Sequence, residues 1–90
     1  MRVKPLALRY LYRIYIELGD ARLKEVLAVA ANIAQQEKHQ EIRANTVRKA
    51  VSRITGKSLK EVRKKLFPLR IPRKLLKEFQ EKIYTELQRL

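Results

Sequence analysis

Five residues punctuate this chain. Glycine stands only at 19 and 56, and proline only at 5, 68 and 72. Between these breakers apolar residues recur with a helical period, and no stretch sustains the alternation of a half-buried strand. That punctuation confines the chain to an all-α fold, a single small bundle of about five helices with no sheet. A helix-turn-helix-like and a histone-fold-like arrangement of those helices both stay open.

The first helix is predicted from Pro5 to Leu18. Pro5 suits the first turn, where its missing N–H has no partner to lose. Arg9, Arg13 and Glu17 form a polar stripe, and Leu8, Leu11, Tyr12, Tyr15 and Leu18 the opposite face. Leu6, Tyr10, Ile14 and Ile16 fill much of the rest, so this helix needs burial on more than one side. Gly19 stops it, and Asp20 is read as the cap of a second helix reaching about Glu37. Leu23, Val26, Leu27, Ala30, Ile33 and Ala34 form its inner face. Residues 38–44 are a polar connection with one apolar anchor, Ile42.

Asn45 or Thr46 is read as the cap of a third helix through Ile54, with Val47, Ala50, Val51 and Ile54 inward. After the turn Thr55-Gly56-Lys57, Ser58 and Glu61 form a capping box. The fourth helix then extends to about Phe67, with Leu59, Val62 and Leu66 inward. Pro68 and Pro72 bracket an extended piece, because the residue before a proline avoids the α region. A last helix starts near Pro72 or Arg73. Leu76, Phe79, Ile83, Leu87 and Leu90 lie on one narrow stripe of it. The domain reading is therefore a compact unit over 1–67, a linker over 68–72, and an amphipathic helix over 73–90 packed on that unit or on a partner.

The charge is where function shows. The chain carries 22 Lys and Arg against 9 Asp and Glu, a net +13 in 90 residues. Most of that excess falls in residues 43–74, which hold Arg43, Arg48, Lys49, Arg53, Lys57, Lys60, Arg63, Lys64, Lys65, Arg70, Arg73 and Lys74. Glu61 is the only acid among them. Heat-adapted surfaces pair Lys with Glu, whereas this segment leaves its cations unmatched. Clustering of this kind is the electrostatic footprint of a phosphate-binding surface. The twelve residues are the predicted nucleic-acid contacts, on a continuous basic face built from the second connection and the third and fourth helices.

The third helix, the Gly56 turn and the fourth helix follow the order of a helix-turn-helix, which would expose Lys60, Arg63 and Lys64 to base edges. Lys and Arg alone suit phosphates better than bases, so the sequence predicts modest specificity. The tyrosines at 10, 12 and 15 could stack on bases, but on a mostly apolar helix the core or an interface is the favoured place for them. No RNA-recognition aromatic motif or double-stranded-RNA pattern is visible.

Other chemistries lack their residues. Cysteine is absent, which excludes disulfides and thiolate metal sites. The single histidine, His39, has no ligand or catalytic companions, and the acids are too scattered for a two-metal site. Ser52, Thr55 and Ser58 have no activating base. No cofactor, metal or enzymatic activity is expected. No apolar run reaches the roughly 20 residues of a membrane span, so a cytoplasmic protein without membrane contact is expected.

Two segments resemble known families. Gly19-Asp20-Ala21-Arg22 with the following Leu-Lys-Glu-Val-Leu-Ala-Val-Ala-Ala resembles the helical lid of AAA+ ATPases of the archaeal origin-recognition class. Asn45-Thr46-Val47-Arg48-Lys49-Ala50 is similar to a later helix of that lid. The resemblance covers residues 19–51 and implies that Arg22 senses nucleotide. Gly56-Lys57-Ser58 matches the end of a phosphate-binding loop, but Val51 stands where its first glycine would be. By residue type alone, a helix stop, a cap and an exposed arginine is the better reading of 19–22. Residues 5–54 also resemble an archaeal histone fold, through Ile42-Arg43-Ala44-Asn45-Thr46-Val47-Arg48-Lys49-Ala50-Val51. That resemblance implies DNA phosphate contacts and a dimer, although the middle helix is several residues short and two helices follow.

The functional expectation is a small basic nucleic-acid-binding protein that works mainly through the phosphate backbone with modest sequence specificity, DNA being favoured over RNA because of the two resemblances. The alternative is an accessory subunit of a replication or ribonucleoprotein assembly. In that alternative a homodimer or protein partner docks through Tyr10, Ile14, Phe79, Ile83 and Leu87.

Overall fold

Pro5 opens α1 (Pro5–Leu18) in the computed structural model, which describes residues 1–90. Gly19 ends that helix at φ 90°, with its N–H donating to the Tyr15 carbonyl. The chain turns at this one residue into α2 (Asp20–Gln36). A conformation at positive φ is open to glycine and strained for other residues, so the position of Gly19 sets where the first two helices part. After a polar connection come α3 (Ala44–Thr55), α4 (Leu59–Lys65) and α5 (Arg73–Gln88). The protein is an all-α bundle of five helices.

One small piece of pairing interrupts the helical pattern. β1 (Arg2–Val3) lies parallel to β2 (Glu41–Ile42), with Arg2 opposite Glu41 and Val3 opposite Ile42. The absence of any sheet is therefore corrected by one two-residue bridge. Two residues are too short to show alternation in a sequence. Ile42 is completely buried, as an anchor should be, and it fixes the whole connection on the core.

The core forms where the apolar faces of α1, α2 and α3 meet. Ala7, Leu8, Leu11 and Ile14 pack with Leu23, Leu27, Ala30, Ile33 and Ala34, and with Val47 and Ala50. The small alanines let the helices approach closely. Burying a Leu or Ile side chain contributes on the order of 2 kcal/mol, and these residues supply most of the driving force for folding.

α5 joins the same core. Phe79 packs edge-on against Tyr12, with ring centroids 5.1 Å apart, and Phe79 and Ile83 are buried. The segment before it is tied down rather than loose. The Leu69 N–H donates to the Arg9 carbonyl at 3.1 Å. The Arg13 Nε donates to the Phe67 carbonyl at 2.9 Å. Residues 66–72 thus form a strap along α1.

Helix ends differ in detail from the sequence reading. Asp20 is the first residue of α2 and caps nothing with its side chain. Instead its carboxylate lies 2.7 Å from Lys82 and 3.2 Å from Lys24. Arg43, not Asn45 or Thr46, precedes α3; Thr46 lies one turn inside, where its Oγ1 accepts the Arg43 N–H. Ser58 does cap α4, accepting the Glu61 N–H at 3.2 Å. That helix stops at Lys65, two residues before Phe67, because the pre-proline position favours extended backbone. Leu18, Leu76 and Leu90, assigned to inner faces, are exposed.

Candidate nucleic-acid interface

The basic segment begins at the end of β2 and runs through α3, α4, the strap and the first turn of α5. Its scaffold is local. Gly56, at φ 74°, ends α3 in the left-handed conformation, and its N–H donates to the Ser52 carbonyl. The Ser52 hydroxyl donates to the Lys57 carbonyl, and the Lys57 N–H donates to Thr55 Oγ1. These bonds fix the turn of three residues between α3 and α4. Val62 is buried against α3. The outer sides of both helices carry the cations.

The twelve predicted contacts fall into two groups. Four are engaged inside the protein. Arg43 donates from Nε to Glu41 at 2.9 Å. The Lys49 ammonium pairs with Glu37 at 2.5 Å. Arg63 donates to the Asn45 Oδ1 at 3.1 Å, tying α4 to the start of α3. Arg48 is the most deeply committed. Its guanidinium lies 4.8 Å from the centre of the Tyr10 ring and donates to the Tyr10 hydroxyl at 2.6 Å. Tyr10 is buried, so this arginine closes the edge of the α1–α3 contact.

The remaining eight are Arg53, Lys57, Lys60, Lys64, Lys65, Arg70, Arg73 and Lys74. All are exposed, and none has an acidic partner within ion-pair distance. The first five lie on α3, the turn and α4, and the last three on the strap and the start of α5.

The carboxylates that do have partners respond to them. The hydrogen bond from Lys49 lowers the pKa of Glu37, and the one from Arg43 lowers that of Glu41. The hydrogen bond from Lys82 does the same to Asp20, and Lys82 is raised in return. Glu37 and Glu41 lie just before the basic segment, whereas Asp20 pairs outside it with Lys24 and Lys82. Inside it Glu61 is the only acid, and it forms no ion pair with any of the eight cations.

Folding gathers further cations that the sequence did not group. The β1–β2 bridge brings Arg2 beside the connection. There Arg2, Lys38, His39 and Arg43 line a polar groove with Gln35, Gln40 and Glu41. Arg9 meets Arg70 around a groove floored by Leu8, Ile71 and Leu76. The sequence carries no signal for either grouping beyond the apolar anchor Ile42. Arg22, the residue marked by the resemblance to an ATPase lid, pairs with Glu25 on the exposed side of α2.

The docking residues expected for a protein partner sit elsewhere than expected. Tyr10, Ile14, Phe79 and Ile83 are buried in the chain's own core, and Leu87 packs half-buried against it. These five side chains pack within the chain itself, while Leu6, Ile16 and Leu18 are the apolar residues that α1 leaves exposed. No helix is long and apolar enough to cross a membrane. Compared with known protein families, curated proteins and solved structures, the chain matches none.

Proposed function

We propose that this chain is a nucleic-acid-binding module, with DNA favoured, that grips the phosphate backbone through the outer surface of α3, the Gly56 turn, α4 and the strap. The observation that carries this reading is the set of eight exposed cations without an acidic partner. Held on short, internally bonded elements, they repel one another, and a polyanion relieves that repulsion. Binding then gains from the counterions released from the nucleic acid. The structure is 34 Å in its longest dimension, about one turn of duplex, so a handful of phosphates is what it can span. Lys and Arg in this number position a duplex rather than read it, and sequence preference is modest.

The test is electrophoretic binding of duplex DNA, single strands and structured RNA to the full chain and to a fourfold reversal. The variant Arg53→Glu, Lys57→Glu, Lys60→Glu, Lys64→Glu touches none of the four cations engaged in the fold. It is expected to keep its helical circular dichroism and to lose binding to all three. Undiminished binding by a folded variant would place the electrostatic surface elsewhere.

A further inference from the structure

Phe67 is one of six aromatic residues in the chain. Tyr10, Tyr12 and Phe79 are buried, and Tyr15 is half-buried against Phe79 with Lys82 over its ring. Tyr84 is partly exposed, but its hydroxyl accepts the Val3 N–H. Phe67 alone has no aromatic, cationic or polar partner for its side chain, and it is 57% exposed.

Its backbone, in contrast, is held. The carbonyl accepts the Arg13 Nε, and Arg13 is itself braced by Glu17 at 2.9 Å. Pro68 restricts the next φ and keeps Phe67 out of the α region. Leu66, Leu69 and Ile71 pack toward the core on either side. A ring carried on backbone fixed in this way loses little conformational freedom when something covers it.

The neighbours in the chain say what that something is. Lys64 and Lys65 precede Phe67 and Arg70 follows it, all three exposed and without acidic partners. A fixed aromatic face bracketed by phosphate-binding cations is the chemistry that holds an unpaired nucleotide: cations track the backbone while the ring stacks on the base. The exposed residues nearest to it in the chain are Lys and Arg, which favour a polyanion as the ligand.

We infer that Phe67 is a stacking platform for an unpaired nucleobase, which makes single-stranded nucleic acid, or the frayed end of a duplex, the preferred ligand of the basic surface. This rests on the nucleic-acid reading above and adds to it a preference that phosphate contacts alone do not supply. Stacking is tolerant of base identity, so the preference is for single strands over duplexes and not for a sequence.

The experiment compares the full-length protein with Phe67→Ala, Phe67→Leu and Phe67→Tyr. Each binds a single-stranded DNA oligonucleotide and a blunt duplex of the same length at one low salt concentration. Circular dichroism checks folding, which an exposed side chain should not disturb. Ala and Leu are expected to weaken single-strand binding by roughly tenfold, with Tyr close to the wild type and the blunt duplex unchanged. Phe67→Trp, the only tryptophan in the chain, should show fluorescence quenching on adding the single strand.

Several outcomes overturn the inference. If Ala binds single strands as the wild type does, while the fourfold charge reversal abolishes binding, the phosphate reading stands and stacking falls. If Leu replaces Phe without loss, the site requires apolar area and not a ring. If Ala weakens blunt duplex and single strand equally, Phe67 does not distinguish them. If the wild type binds no nucleic acid, the underlying reading fails and the stacking role with it.

Discussion

Arg48 separates cations that build the fold from cations that face outward, and replacing it measures the difference. Arg48→Met keeps the length and apolar stem of the side chain and removes the guanidinium. The Tyr10 hydroxyl, on a residue only 5% exposed, then loses the donor that lay 2.6 Å away. A hydrogen bond from a charged donor contributes about 1.5–3 kcal/mol, and a guanidinium over an aromatic ring adds about 0.5–1 kcal/mol. Against this, the Arg48 Nε is buried without a partner, and releasing it returns on the order of 1 kcal/mol. The net loss is about 2 kcal/mol. For a domain of this size that lowers the melting temperature by roughly 10 °C. A double-mutant cycle with Tyr10→Phe isolates the hydrogen bond, since Phe keeps the ring beneath the guanidinium. Thermal melts followed by circular dichroism give the stabilities, and the same proteins are titrated with DNA below their melting range. Arg48→Met is expected to lose stability and little affinity, and Lys64→Glu the reverse. An unchanged melting temperature for Arg48→Met, or affinity losses of equal size for the two, would refute the division.

The salt dependence of binding follows from the same count. If about half of the eight unpaired cations touch phosphates, log affinity should fall against log salt with a slope of roughly −3.6 on duplex DNA. Twelve available cations would give a slope nearer −5, so titration at several salt concentrations distinguishes the two. The Asp20 carboxyl, held low chiefly by Lys82 and then by Lys24, gives acid dependence. Its stabilising effect is complete above the unfolded value, near pH 4, and is lost as pH falls through the lower folded value. Asp20→Asn should therefore lower the melting temperature at neutral pH, and the difference from the wild type should shrink in acid; a gap that persists there would refute it. Gly56→Ala tests the α3–α4 turn. A Cβ there meets nothing within 4 Å, so the loss is the backbone strain of φ 74°, about 1 kcal/mol. A melting temperature lower by roughly 5 °C is expected, and no change would show that the turn relaxes.

What the sequence revealed and what it hid have a common physical origin. Helix existence was legible because breakers and periodicity are local signals: Pro5, Gly19, Gly56 and the proline pair each mark an actual boundary. Inner faces were legible wherever a helix is packed along its length, as with Leu23, Leu27, Ala30 and Ala34. They failed near helix ends, where Leu18 and Leu90 run past the elements that would cover them. The candidate site was legible as composition and not as pairing. Whether Arg48 meets solvent or Tyr10, 38 residues away, depends on how α3 lies across α1. No local pattern encodes that crossing. The same holds for Arg2, brought beside Arg43 by a bridge of two residues.

Phe67 shows how much depends on where α4 ends. Continued as a helix, α4 would carry Leu59, Val62, Leu66 and Phe67 on one inward stripe, since positions three, four, seven and eight apart share a face. In that register Phe67 is a core residue and the basic segment has no aromatic. The proline at 68 ends the helix at Lys65. The strap that follows packs Leu66, Leu69 and Ile71 against the core and leaves Phe67 and Arg70 exposed. Arg13 then secures the peptide that carries the ring. One local rule, the exclusion of pre-proline residues from the α region, therefore keeps Phe67 off the inner stripe of α4 and leaves it exposed within the basic segment.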